Sequence, residues 1–436
     1  MKIFPTLICI AFGWLMPQYS AAQSLDTILS RLISTGQYPQ AQALLEANNP
    51  SADDKAFFAG RVLKSQRQYD KAIAVFRAIL IRDPGYLNAR RELAHTLMLD
   101  KQFEVAEYHF EQLLEIDRNP KMQAAYRRFL AVIAQNKPYG VSGMLAFAPS
   151  SNVNRGTTYS TFTDEYGNAV ISEDSKAKSG IGLQFGVNGY FRKILSPRSR
   201  LTFNWSAQGV KYRDSAFDTA TLRLSATYQK ITEWGSWTVT PFARNTWTEE
   251  DLDPGFGEDL RYTTSSRSLG IGYGFQRKLS DRDTLSFYVS GEYRDYPLTT
   301  TQDGAFYYTT LGLDRRLRPD LSVGAGVQLE RSDAAAGQLA YKGVKLTGSA
   351  TKVWKNGLRT GFGVNFGKRD FDDNYFLRAY PRKDDFWGVS VSLFNPKFAW
   401  RGMAPELTCS YTRNRSNVEF FVYDVAECQI SLIRNF

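Results

Sequence analysis

Along most of the chain, apolar and polar positions alternate with a period of two. In the stretch "LRTGFGVNFG", one face is apolar apart from a threonine, and the other carries glycine and polar residues. The first face holds Leu358, Thr360, Phe362, Val364 and Phe366, and the second holds Arg359, Gly361, Gly363, Asn365 and Gly367. The stretches "LSVGAGVQLE" and "TLSFYVSGEYR" repeat the pattern. A period of two predicts β-strands, and this division of faces is typical of transmembrane β-barrels.

About fourteen such segments follow one another, an even number, as bacterial barrels require. We expect them to begin near residues 139, 178, 199, 219, 236, 261, 284, 305, 321, 338, 358, 384, 403 and 425. Short turns such as "SPRS" and "SDRD" alternate with long loops at 150–176, 248–260 and 372–383. We therefore predict a barrel with short periplasmic turns and long external loops. A soluble all-β sandwich or propeller is the alternative, but its blade or Greek-key repeats are not evident.

The final segment, "ECQISLIRNF", fits a strand that closes the barrel against the first one. Cys428, Ile430, Leu432 and Phe436 form an apolar face that Arg434 interrupts. Closure is required because an unpaired strand edge would leave backbone groups unsatisfied in lipid. The aromatic Phe436 also resembles the signal that the outer-membrane barrel assembly machinery recognises.

The N-terminal part has a different pattern, with alanine and leucine at helical spacing between residues 23 and 136. Four positions recur 34 residues apart, so that Gly60, Tyr69, Ala72 and Phe76 match Ala94, Phe103, Ala106 and Phe110. This is the period of a tetratricopeptide (TPR) repeat, in which small residues lie where two helices touch and aromatic residues lock them. We therefore predict an α-helical TPR solenoid, with an unrelated array of helical hairpins as the alternative.

TPR solenoids bind extended peptides on a concave face that is lined by the first helix of each repeat. Alignment with the repeat pattern assigns six residues to that face, namely Phe57, Arg61, Lys64, Asn88, Arg91 and His95. The predicted groove is basic with some apolar surface, and it suits an acidic segment or a terminal carboxylate of a peptide. For each of these residues the alternative is an ordinary solvated helix face.

The first 22 residues have the features of a secretory signal peptide. Lys2 precedes an apolar stretch from Ile3 to Met16, and small residues follow up to Ala22. The apolar stretch is too short for a membrane anchor. We therefore expect an α+β multidomain protein of the Gram-negative outer membrane, with a signal peptide (1–22), a periplasmic TPR-like helical domain (23–136) and a β-barrel (137–436).

Charge and cysteine content add two expectations. The formal net charge of +10 suits a pore or groove for acidic partners, and equally a barrel whose rims touch the anionic headgroups of outer-membrane lipids. Two cysteines lie outside the signal peptide, Cys409 and Cys428, and they flank one predicted hairpin loop. They are candidates for a disulfide in an oxidising compartment, with two reduced lipid-facing thiols as the alternative.

Enzymatic chemistry is not evident in the sequence. The chain has 2 histidines, His95 and His109, and neither a Ser-His-Asp set nor a zinc motif stands out. The glycine-rich stretch "LGIGYGFQ" precedes no helix pattern, so it does not fit a dinucleotide-binding loop. We expect no catalytic residue, metal, cofactor or nucleic-acid partner.

The order of these parts resembles the surface lipoprotein assembly modulator (Slam) family, which combines a periplasmic TPR domain with a C-terminal barrel. The stretch "FAPSSNVNRGT" (Phe147–Thr157) is similar to that family's barrel entry. The resemblance implies a protein that moves specific clients, either lipoproteins or soluble secreted proteins, across the outer membrane with the help of periplasmic chaperones. Asn152, Asn154 and Arg155 are candidates for a lumen or loop contact, with a simple turn as the alternative.

Two other functions remain open. A passive porin needs a charged constriction, which the loop at 150–176 would form by folding inward. A polysaccharide exporter also joins periplasmic TPR repeats to a barrel, but exporters usually carry many more repeats than this chain.

Overall fold

The computed structural model describes residues 25–164, 167–251, 260–376, 378–395, 398 and 404–433. The predicted signal peptide and the predicted assembly signal at Phe436 lie outside these residues. The chain divides into two compact units, Met1–Asn136 and Lys137–Phe436.

Helices make up the described part of the first unit. They are α1 (Leu25–Ser34), α2 (Tyr38–Glu46), α3 (Ala52–Ser65), α4 (Tyr69–Arg82), α5 (Leu87–Leu99), α6 (Phe103–Ile116) and α7 (Pro120–Asn136). Between α3 and α4, Arg67 takes a positive φ of 61°, and Lys101, 34 residues later, takes 63° between α5 and α6. The same tight turn therefore recurs at the repeat period. Among the described residues, no helix is long and apolar enough to cross a bilayer.

The residues that recur in the sequence form the core of the helical unit. Ala72, Phe76 and Ala106 are fully buried, and Phe110 is 1% exposed. A Cβ atom on Gly60 would lie 2.6 Å from the ring of Phe76, so a larger residue would displace that ring where α3 packs against α4. The 34-residue period therefore reflects contacts between paired helices, as a TPR solenoid requires.

The second unit is built from strands. They are β1 (Tyr139–Ser150), β2 (Thr161–Asp164), β3 (Gly167–Val170), β4 (Gly180–Ser196), β5 (Ser199–Lys211), β6 (Thr219–Ile231), β7 (Ser236–Asp251), β8 (Leu260–Lys278), β9 (Asp283–Asp295), β10 (Gly304–Arg318), β11 (Leu321–Ala334), β12 (Tyr341–Val353), β13 (Arg359–Asn374), β14 (Pro381–Phe394), β15 (Ala404–Ser416) and β16 (Tyr423–Ile433).

Fourteen of these strands, all except β2 and β3, form a closed antiparallel barrel. Strands β4 to β16 pair in chain order, and β1 closes the sheet by pairing with both β4 and β16. Each barrel strand begins within three residues of its predicted position. The predicted barrel, with its fourteen strands, is therefore confirmed.

The two faces of the barrel wall differ as the alternation predicts. The apolar side chains of Phe362, Phe366 and Leu329 are each at least half exposed on the outer surface. The alternate positions of the same strands, such as Asn365 and Gln328, line cavities in the lumen. A continuous exposed apolar surface of this kind is stable against lipid.

The prediction of long loops was wrong in detail. Within the segment predicted as a plain loop, β2 and β3 form a separate hairpin, with Phe162 packed 4.8 Å from Phe420 between ring centroids. Strands of four residues are too short for their alternation to stand out in the sequence. The loop predicted at 372–383 is also shorter, because β13 extends to Asn374 and β14 begins at Pro381.

Candidate functional site

The six predicted groove residues lie on α3 and α5, the first helices of two successive repeats. They are Phe57, Arg61, Lys64, Asn88, Arg91 and His95. Phe57 is partly buried, with its ring centroid 6.0 Å from that of Phe76 and 5.5 Å from that of Tyr86. Phe57 therefore contributes to helix packing, and it is the apolar member of the predicted groove.

Arg61 connects α3 to α1. Its guanidinium donates hydrogen bonds to Asp26 Oδ1 (2.7 Å) and Ser30 Oγ (2.5 Å), and it lies 5.7 Å from the ring centroid of Phe57. The Arg61 side chain is 13% exposed, whereas that of Asp26 is 75% exposed. The pair thus presents its carboxylate, rather than its guanidinium, to solvent.

Lys64 connects α3 to α5. Its ammonium donates to Glu92 Oε2 (2.6 Å) and contacts His95 Nδ1 at 2.7 Å. Burial and the neighbouring Lys64 charge lower the pKa of His95. A neutral His95 accepts the Lys64 hydrogen bond at Nδ1, and its ring packs 5.2 Å from that of Phe129 on α7.

Arg91 connects α5 to the α6–α7 turn. It donates to Asn88 Oδ1 (2.7 Å), Tyr126 Oη (2.7 Å) and Asp117 Oδ2 (2.6 Å). Tyr126 Oη donates to the same Asp117 oxygen at 2.5 Å. This hydrogen bond is the main reason that the pKa of Asp117 falls to about 2, and burial raises the pKa of Tyr126 to about 12.

Each of the three predicted groove cations therefore faces an acid from another element of the helical unit. The sequence-based prediction named the cations and missed Asp26, Glu92 and Asp117. These acids were missed because the pairing depends on how successive repeats rotate against each other, which the residue spacing does not reveal. The face that was predicted to be a basic groove is therefore a row of ion pairs with aromatic side chains beside it.

The start of the loop between β1 and β4 is shaped by asparagine side chains. Asn152 is 1% exposed; its Nδ2 donates to the carbonyls of Gly156 (2.9 Å) and Asp424 (3.2 Å), and its Oδ1 accepts from the Gly156 amide (2.8 Å). Asn154 bonds the carbonyl of Lys176 and the amide of Lys178 across the loop. Both asparagines thus fix the loop between β1 and β4, and Asn152 also ties it to β16.

Arg155, which directly follows Asn154, takes the left-handed backbone conformation (φ 49°). Its exposed side chain lines a cavity of about 430 Å³ inside the barrel, together with Lys345, Arg369 and Asn365. Of the three residues predicted as lumen or loop contacts, Arg155 lines the lumen cavity, whereas Asn152 and Asn154 hold the loop.

The lumen wall also contains buried charge networks. Glu292 is 7% exposed and bonds Arg244 (2.9 Å) and Arg294 (2.6 Å). Glu330 bonds Arg369 at 2.7 Å. The inner face is therefore polar and highly charged, as expected for a barrel whose interior is not an apolar core.

Cys409 and Cys428 are joined by a disulfide, with their Cα atoms 4.0 Å apart. They are direct partners in the β15–β16 register, two positions from the pair Leu407 and Ile430 on the same face. Leu407 and Ile430 are exposed on the outer wall, so the bridge faces lipid. Among the residues that the structure describes, no group of three or more His, Cys, Asp or Glu side chains could hold a metal ion.

Comparison with known families assigns both units. A family model described as surface lipoprotein assembly modifier matches residues 140–436. The chain belongs to the surface lipoprotein assembly modifier family. Two models described as tetratricopeptide repeat match residues 30–86 and 63–130. The predicted resemblance and the predicted TPR solenoid are confirmed, and the protein is an outer-membrane barrel with its TPR domain in the periplasm.

Relatives match over most of the chain. It is 20% identical over 384 residues to surface lipoprotein assembly modifier 2 of Haemophilus influenzae, which covers 86% of this chain and 76% of that protein. It is 23% identical over 413 residues to the hemophilin secretion modulator of Acinetobacter baumannii, covering 87% and 78%. The names of these family members denote assembly and secretion rather than catalysis.

Among solved structures, a Pseudomonas aeruginosa FadL homologue is similar with a TM-score of 0.36 and 12% identity, over 72% of this chain and 92% of that one.

Proposed function

We propose that this member of the surface lipoprotein assembly modifier family delivers specific client proteins from the periplasm to the cell surface. The observation that carries the proposal is the family match over the whole barrel, 140–436, beside TPR repeats on the same chain. The clients are surface lipoproteins or secreted soluble proteins, since the relatives are named for surface lipoprotein assembly and for hemophilin secretion.

In this proposal the helical unit engages the client through the groove on α3 and α5. Phe57 and Tyr86 offer apolar contact, and the Lys64–Glu92 and Arg91–Asp117 pairs offer polar contact. A client segment that carries charges of both signs exchanges partners with these pairs. Asp117 is buried and hydrogen-bonded to Tyr126, so this exchange falls on Lys64, Glu92 and Arg91, whose side chains are more exposed.

The barrel acts as the conduit. Its polar lumen suits an unfolded polypeptide, whose backbone needs hydrogen-bonding partners along the whole path. The periplasm has no ATP, so direction comes from folding or capture of the client outside the cell, which shifts the equilibrium toward the exported state. Periplasmic chaperones hold the client unfolded, the barrel assembly machinery inserts the barrel, and outer-membrane lipids surround its apolar wall.

Deletion of the gene tests the proposal. Surface proteins of the deletion strain and its parent are compared by protease shaving and mass spectrometry, with a complemented strain as control. The expected result is loss of one or two surface or secreted proteins, which accumulate in the periplasm and return on complementation. An unchanged surface proteome contradicts the proposal; altered small-solute uptake would then indicate a porin, and altered surface glycan an exporter.

A further inference from the structure

The cavity that Arg155 enters has an unusual balance of charge. It lies at the end of the barrel that carries the longer loops, against β12 to β16, and it has a volume of about 430 Å³. Three cations line it, namely Arg155, Lys345 and Arg369, and none of the described residues that line it is Asp or Glu.

Among the described residues, two of these three cations have no acidic partner within ion-pair distance. Arg369 is neutralised by Glu330 at 2.7 Å. For Arg155 and Lys345, no acidic oxygen lies within 4.0 Å among the residues that the structure describes. Lys345 also borders a neighbouring cavity of about 250 Å³ that contains Asp314, but the two side chains form no ion pair. Uncompensated cations in a partly enclosed site attract anions, because the low-dielectric walls focus their field.

Arg155 is held in position before any ligand arrives. Its left-handed backbone is fixed on both sides by the hydrogen bonds of Asn152 and Asn154. A Cβ on the following residue, Gly156, would lie 2.3 Å from the carbonyl oxygen of Lys176. The start of the loop therefore packs closely against the segment that leads back to β4. A non-glycine residue keeps this conformation only where surrounding contacts hold it, so the position of Arg155 is set by the loop.

The other lining residues determine the class of ligand. Asn365, Ser390, Thr412 and Asn414 supply amide and hydroxyl groups, and Phe386 and Tyr423 supply aromatic surface. Carboxylates accept hydrogen bonds from Arg, Lys and Asn, and the remaining amides and hydroxyls match a peptide backbone. The cavity volume lies within the range of ordinary ligand sites.

We propose that this cavity binds the carboxylates of acidic segments in the polypeptide that passes through the barrel. The inference rests on the proposed function, since it takes the ligand to be a polypeptide. The site gives a translocating chain a resting position near the outer opening, and Arg155 and Lys345 hold the segment from two sides of the lumen.

The first experiment measures binding to the purified full chain in detergent. The probe is a fluorescent decaglutamate peptide, and fluorescence anisotropy is recorded with decalysine and a neutral serine-glycine peptide as controls. Decaglutamate is expected to bind, and binding is expected to weaken as salt rises from 50 to 500 mM. Arg155→Gln combined with Lys345→Gln should weaken binding at least tenfold.

A matched control and a mapping step locate the effect. Lys368→Gln removes an outward-facing cation paired with Asp385 at 3.2 Å, and it should leave affinity unchanged. A decaglutamate with a benzophenone group, crosslinked by light and mapped by mass spectrometry, should label β12 to β16. Labelling confined to α1 to α7, equal binding of decalysine, or unchanged affinity in the double variant overturns the inference.

Delivery in cells separates this inference from the proposed function. If the gene deletion removes clients from the surface but the double variant binds decaglutamate normally, the inference about the cavity is wrong and the proposed function is supported. If the variant loses peptide binding while the deletion leaves the surface proteome unchanged, the cavity binds acidic peptides but the proposed function fails. Heat-modifiable migration on gels confirms that each variant forms a barrel.

Discussion

Tyr126 on α7 donates a hydrogen bond to the carboxylate of Asp117, which is 4% exposed at the end of α6. Tyr126→Phe leaves one lone pair of this buried carboxylate unsatisfied, so it should lower the free energy of unfolding of the helical unit by about 1–3 kcal/mol. Urea titration of the solubilised full chain, followed by circular dichroism at 222 nm, measures this. Tyr108→Phe is the control because Tyr108 is 56% exposed on α6, and an equal loss in both variants would contradict the prediction.

The hydrogen bond from Tyr126 to Asp117 also makes the free energy of unfolding of the helical unit depend on pH in the acid range. The pKa of Asp117 falls to about 2 in the folded chain, from an ordinary value of 3.8. The folded state therefore binds fewer protons in this window, and the stabilisation is present above pH 3.8 and lost as the pH falls toward 2. In Tyr126→Phe the carboxyl pKa rises, so acid unfolding should begin at a higher pH than in the parent.

His109 gives the helical unit a second pH dependence, in a less acidic range. Burial lowers its pKa to about 4, and the charges of Arg90 and Arg77 add to the shift. Because the unfolded chain binds a proton from pH 6.5 downward, the free energy of unfolding should fall between pH 6.5 and 4, by at most about 3 kcal/mol. His109→Gln should flatten this part of the curve. A smaller slope remains, since the pKa of His95 is lowered too.

The Arg61–Asp26 pair allows a charge-swap test of the groove. Arg61→Glu alone repels Asp26 and should reduce both helix stability and client delivery to the surface. Adding Asp26→Arg restores an ion pair with the opposite polarity, so stability should recover. If the client recognises the charge at position 61, delivery stays low in the double variant, as measured by surface immunolabelling. Full recovery of delivery would mean that the pair is only structural.

The Cys409–Cys428 bridge should stabilise the barrel. It closes a loop with a sequence separation of 19 residues, for which the chain-entropy model gives on the order of 3 kcal/mol. Cys409→Ser with Cys428→Ser should therefore lower the urea midpoint of barrel unfolding in detergent. Dithiothreitol should lower the midpoint of the parent protein and leave that of the double variant unchanged; a reductant effect on the variant would rule out this explanation.

The sequence predicts most of the fold because both units repeat. Alternation determines which side chains of each barrel strand face outward. A shift of one residue would move side chains such as Phe362 and Phe366 from the lipid-facing surface into the lumen. The 34-residue period identifies the helix contacts. The match between Gly60 and Ala94 locates the point where the two helices of each repeat approach most closely. The β2–β3 hairpin escaped prediction because it neither repeats nor alternates over enough residues.

The candidate site was less predictable, for a physical reason. Repeat spacing assigns Arg61, Lys64 and Arg91 to the groove, but their partners come from α1, α5 and the α6–α7 turn. Likewise, nothing in the sequence near Arg155 indicates that it lines the same cavity as Lys345, which is 190 positions away in the chain. Such pairings arise from packing between distant segments, and short-range patterns do not contain them.

The covalent link between β15 and β16 also bears on the order of events during biogenesis. Its two cysteines belong to one hairpin, so oxidation in the periplasm does not have to wait for the barrel. Once formed, the bridge fixes the alignment of these two strands, because Cys409 and Cys428 are direct register partners. The strand that meets β1 therefore arrives with one neighbour already in place, and a one-residue slip at that position is blocked before the wall closes.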